Sequence, residues 1–96
     1  MDVPADWPFE DPPNVAVIAT PDVMNGSAWI AFISHDEDDG SWQFHGPRDS
    51  DPSEAEVVAL RRVLALDPSI GAVADLPLGW QAWRAAPNAP WQRAPL

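Results

Sequence analysis

The chain has 96 residues, fifteen carboxylates against five arginines, and a formal net charge of −10. It has no cysteine, which excludes a disulfide framework and thiolate chemistry. The acidic balance argues against nucleic acid or anionic membrane as partners, since both need a basic footprint, and favours a basic protein partner or plain solubility.

The length suits one domain with a modest core. The opening Met1-Asp2-Val3-Pro4-Ala5-Asp6 lacks a basic stretch followed by an apolar one, so no secretion signal is expected. The longest apolar run, residues 28–33, is too short to cross a bilayer. A cytoplasmic protein is expected.

Residues 1–13 are rich in Pro and Asp and read as an irregular arm, able to dock through Trp7 and Phe9. Residues 15–19 form a short apolar run closed by Thr20-Pro21, which predicts a buried strand. Residues 21–25 suit a single helical turn, followed by the turn signal Asn25-Gly26. Residues 27–34 are apolar on both faces and predict a central strand. The loop 35–41 then leads into Trp42-Gln43-Phe44-His45, giving a β-hairpin with an acidic tip and with Trp42 and Phe44 on one face.

Gly46-Pro47-Arg48-Asp49-Ser50 breaks the sheet. Asp51-Pro52-Ser53-Glu54 has the form of a helix start, with Asp51 as N-cap, Pro52 at the first position and Glu54 completing a capping box. The spacing predicts a helix to about Leu66, with Val57, Leu60, Val63 and Leu64 on its buried stripe, stopped by Asp67-Pro68. Residues 80–85 predict a last strand, with Trp80 and Ala82 on one face and Gln81 and Trp83 on the other. Residues 86–96 read as an irregular Pro-rich tail. The expected fold is α+β: one domain over residues 14–85, a small, mostly antiparallel sheet of about four strands with one principal helix packed on it.

The loop His35-Asp36-Glu37-Asp38-Asp39-Gly40 invites comparison with a calcium-binding loop. With Gly40 at the sixth position, His35, Glu37 and Asp39 take ligand positions, but Gly46 stands where the closing bidentate Glu belongs. The first ligand would also be a nitrogen base. A solvated hairpin tip explains the four charges better. A shared metal site for the two histidines fails on geometry. In one hairpin register His35 and His45 lie about 13 Å apart, and in the register shifted by one they point to opposite faces. Ser34 and His35 are adjacent on a strand and cannot form a nucleophile–base pair. No phosphate-cradling, nicotinamide or nucleophile-elbow motif is present. No cofactor and no catalytic residue is assigned.

Six tryptophans remain to be placed. Each buries roughly 200 Å² and builds either core or a binding face. Trp29 and Trp42 sit among aliphatics and read as core. Trp80, Trp83 and Trp91 lie beside Pro, Ala and Arg, a composition that also suits a protein interface.

Several pieces together resemble a known family. They are the strand ending near Pro21-Asp22-Val23, then Asp39-Gly40-Ser41-Trp42-Gln43-Phe44, Asp67-Pro68-Ser69-Ile70, and Asp75-Leu76-Pro77-Leu78-Gly79-Trp80-Gln81-Ala82-Trp83-Arg84. The chain resembles, over residues 15–84, small bacterial domains of unknown function, some labelled as predicted immunity proteins of contact-dependent toxin systems. The resemblance implies a cytoplasmic α+β protein without cofactor or known enzymatic activity, which neutralises a toxin by binding it.

The functional expectation is a non-enzymatic binding module that masks a basic partner. Asp36, Glu37, Asp38 and Asp39 would steer association, and Trp80, Trp83 and Arg84 would supply an aromatic contact patch. The alternatives are a small metal-binding or hydrolytic protein using His35, Asp36, Asp38 and His45, or a homodimer that buries its own tryptophans.

Overall fold

Short runs of β-branched and aromatic residues frame the molecule. The computed structural model describes residues 4–48 and 51–96. Chain order runs β1 (Ala16–Ala19), α1 (Pro21–Met24), β2 (Phe32–His35), β3 (Trp42–His45), a 3₁₀ turn (Pro52–Glu54), β4 (Glu56–Ala59), α2 (Leu60–Leu66), a 3₁₀ segment (Pro68–Val73), β5 (Trp80–Trp83) and β6 (Gln92–Pro95). Residues 1–3 of the arm, and Asp49-Ser50 of the sheet-breaking loop, lie outside the described residues.

The six strands found among the described residues form one mixed sheet in the order β4-β1-β3-β2-β5-β6. β1 and β3 are parallel and the other pairings antiparallel. The turn at α1 carries the chain past the slot beside β1, and the β2–β3 hairpin folds back to fill it.

The fold is therefore mostly β, which corrects the expected four-stranded α+β domain with one principal helix. The predicted helix over residues 51–66 is divided. Asp51 does cap, its Oδ1 accepting from the Ser53 amide at 2.9 Å, but only one 3₁₀ turn follows. Residues 56–59 then pair with β1 through four partners, Ala19↔Glu56 to Ala16↔Ala59. Two adjacent β-branched valines and an open sheet edge favour a strand over a further helical turn. Helix α2 begins only at Leu60. Leu60 and Val63 are fully buried as expected, whereas Val57 is 73% exposed and Val58 takes its place inside.

Two further elements differ. β2 starts at Phe32 rather than residue 27, because the amides of Ser27 and Ala28 are held at 3.0 Å by the Asp22 carbonyl at the end of the α1 turn. The tail, expected to be irregular, adds β6 along β5, with Leu96 donating to the Gly79 carbonyl at 2.7 Å.

Strand registers sort the side chains between two faces. One row across the sheet, Ala19–Phe44–Ile33–Ala82, is wholly buried. The core lies on this face, with Leu60 and Val63 of α2, Ile70 and Val73 of the 3₁₀ segment, and Phe9 of the arm packed together. Phe9 meets Trp42 edge-on at 5.2 Å, so the described part of the arm is docked. The next row, Val57–Ile18–Gln43–Ser34–Gln81–Ala94, crosses all six strands on the other face.

Candidate functional site

The four carboxylates of residues 36–39 sit at the β2–β3 turn. Gly40 closes it at φ +73°, a conformation that side-chain-bearing residues rarely adopt. The Asp36 amide donates to the Ser41 carbonyl at 2.8 Å, and the Gly40 amide to the Asp36 carbonyl at 2.9 Å. The Ser41 amide donates to Asp39 Oδ1 at 2.9 Å, pinning that side chain to its own turn. Glu37, Asp38 and Asp39 are exposed, and Asp36 is half-buried.

These four line a cleft of about 480 Å³ with Gln43, Gly79 and Leu96. Gly79, at φ +80°, leaves room for Glu37, whose Oε2 lies 3.2 Å from where a Cβ would stand. Among the described residues, no arginine or histidine is within ion-pair distance of the four carboxylates. One wall is organised by an amide relay. Gln43 Nε2 donates to Asp36 Oδ2 at 2.5 Å, and Gln43 Oε1 lies 3.1 Å from His45 Nε2. Burial lowers the His45 pKa, against the opposing pull of the Asp36 and Asp22 carboxylates.

The predicted aromatic patch does not assemble as one surface. Trp80 lies on the covered face beside His35 and packs against the core. Trp83 lies on the opposite face beside Phe32. Arg84, expected as an exposed contact, is only 5% exposed. Its Nε donates to the Ile30 carbonyl at 2.9 Å, one terminal nitrogen to Ser69 Oγ at 2.8 Å and the Pro87 carbonyl at 2.9 Å, and the other to Asp67 Oδ2 at 2.6 Å. Its guanidinium carbon also sits 4.3 Å from the Trp91 ring centre and 5.8 Å from that of Trp29. Arg84 is thus an internal tie between β5, the 3₁₀ segment and the tail. Trp29, read as part of a strand core, instead lies outside any strand and half-buried.

The two histidines are divided by the register. His35 pairs with Trp42, and His45 with Phe32, so their rings point to opposite faces. His35 stacks on Trp42 at 3.9 Å and its Nδ1 lies 2.7 Å from the Leu76 carbonyl, to which it donates. It lines a second cleft of about 580 Å³ between the arm, with Glu10 and Asp11, and residues 74–78. Asp11 is committed there, its Oδ2 accepting from Trp42 Nε1 at 2.9 Å. Among the described residues no group of three or more His, Asp or Glu side chains is placed to hold a metal ion. Nor is any helix of the described residues long and apolar enough to cross a membrane.

Composition and spacing miss three contributors to the acidic cleft and its surroundings. Gln43 and Leu96 join the turn only through strand pairing, and Phe32 becomes a neighbour of Trp83 only through the β2–β5 register. The signal for Phe32 is its period-two relation to Ser34 and Asp36, which places all three on one side of the strand. In comparisons with known proteins, no family model, no curated protein and no solved structure matches this chain.

Proposed function

We propose that this protein is a non-enzymatic, acidic binding module that masks a basic region of a protein partner. The observation that carries the reading is the cleft at the β2–β3 turn, where four consecutive carboxylates converge with no cation paired to them among the described residues. Such a concentration of unneutralised charge repels itself and is relieved by a cationic ligand. Among the described residues the ion pairs lie elsewhere, a buried one between Asp67 and Arg84 and an exposed one between Asp75 and Arg93. The immunity role implied by the family resemblance, in which a toxin is neutralised by binding, is one form of this reading and supplies a basic toxin surface as the partner.

The test uses polyarginine as a defined cationic probe, with association followed as ionic strength is raised. Wild type is expected to associate fast and to slow steeply with salt. The variant D36N/E37Q/D38N/D39N should associate at least about tenfold more slowly with a shallower dependence, because steering scales with the charges removed. Equal rates and equal salt slopes for the two proteins would overturn the reading.

A further inference from the structure

Among the described residues, the core elements α2, the 3₁₀ segment and the arm pack on one face of the sheet. Phe32 and Trp83 belong neither to the core nor to the partly buried side chains packed against it. Val57 projects from the same face at 73% exposure. No strand residue on this face is Asp, Glu, Lys or Arg, and the centre is a polar stripe in which half-buried Gln43 and Gln81 flank Ser34, itself 5% exposed.

The face is continuous with the acidic cleft. On β2, Phe32 and Ser34 project to this side, and Asp36, in step with them just beyond the strand, reaches Gln43 from the same side. Gln43 belongs to both, standing in the central stripe and lining the cleft. At about 3.3 Å per residue, the Phe32–Trp83 pair lies about 13 Å from Asp36. The floor of Phe32, Trp83 and the Gln43–Ser34–Gln81 stripe, with His45 beside Phe32, is thus bounded by carboxylates at the β2–β3 end.

We infer that this open sheet face docks a basic protein segment in which cationic side chains are interleaved with apolar ones, the apolar groups seating on Phe32 and Trp83 and the cations reaching residues 36–39. The inference rests on the reading of the cleft as a site for a basic partner and adds where that partner lies. Charge decides the occupant. A second copy would bring another −10 against a face that offers no strand arginine to pair with its carboxylates. A nucleic acid would meet the same repulsion.

The test is an amide and indole NMR titration of the whole chain with a short synthetic peptide alternating Arg and Val, at low salt. Shifts are expected at Phe32, Gln43, Gln81 and the Trp83 indole together with residues 36–39, and not at the buried Trp42 indole. The variant F32T/W83T, checked by thermal melting, should bind the peptide at least about tenfold more weakly. If that variant does not fold, Q81R puts a positive charge on the floor without touching the core and should weaken binding to a similar extent. Shifts confined to residues 36–39, with affinity unchanged in these variants, would overturn the docking face while leaving the acidic site standing. Absence of shifts throughout would overturn both. Open-face shifts produced by raising protein concentration without peptide would make the occupant a second copy and overturn the inference.

Discussion

Arg84 shows how far a residue's role departs from its composition. Beside tryptophans in a Pro- and Ala-rich stretch it has the profile of an interface arginine. In the fold it satisfies carbonyls from two loops, caps the 3₁₀ segment through Asp67 and Ser69, and stacks on Trp91. Removing one partner of such a pair strands the other charge, so Arg84→Leu should cost about 3 kcal/mol and lower the melting temperature by more than about 12 °C. Arg84→Lys should not restore it, since a lysine cannot reproduce the planar fork. Chemical denaturation of both variants measures this, and near-native stability in either would contradict the assignment. By contrast, the exposed Arg93–Asp75 pair is expected to contribute little.

His45 makes stability depend on pH. Burial holds its pKa below the ordinary 6.5, so the unfolded chain binds the proton more tightly than the folded one. Its contribution to stability is complete above about pH 6.5 and declines as pH falls below that value. Asp67 titrates in a different window. Burial pushes its carboxyl up, but the bonds from Ser69 and Arg84 prevail and hold it below 3.8, so its contribution is lost only in stronger acid. Melting temperature should therefore fall between about pH 7 and pH 5, and His45→Gln should flatten that fall. An equally steep fall in the variant would assign it to other groups.

Among the elements, those decided locally are legible in the sequence. The hairpin follows from two strand-like runs either side of an acidic turn, though its first strand begins at Phe32 rather than residue 27, and alternation in Trp42-Gln43-Phe44 places Trp42 and Phe44 together in the core. The single turn α1 follows from Pro21 and the Asn25-Gly26 stop. Elements decided by long-range pairing are not. The helix start at Asp51 is correct as capping chemistry, yet the vacant edge of β1 recruits residues 56–59 into a strand. Likewise, nothing local in Gln92-Arg93-Ala94-Pro95 specifies a strand, and these residues become β6 because β5 offers unpaired backbone groups. The acidic turn of the candidate site is local and therefore visible in advance. The division of Trp80 from Trp83 follows from alternation, whereas the face each meets depends on which side α2, the 3₁₀ segment and the arm cover.

In the whole molecule, a net charge of −10 is combined with a sheet whose core lies on one face and with an acidic cleft at one end that has no paired cation among the described residues. The core lies on one face, and the proposed function assigns the cleft and the other face to binding. The most direct test is affinity capture on the immobilised chain from a lysate of its own cells, at low and at raised salt. The expected result is a stoichiometric basic protein that is retained at low salt, released as salt rises, and retained poorly by D36N/E37Q/D38N/D39N. A partner that is acidic, or one held equally well at both salt concentrations and by both proteins, would contradict it.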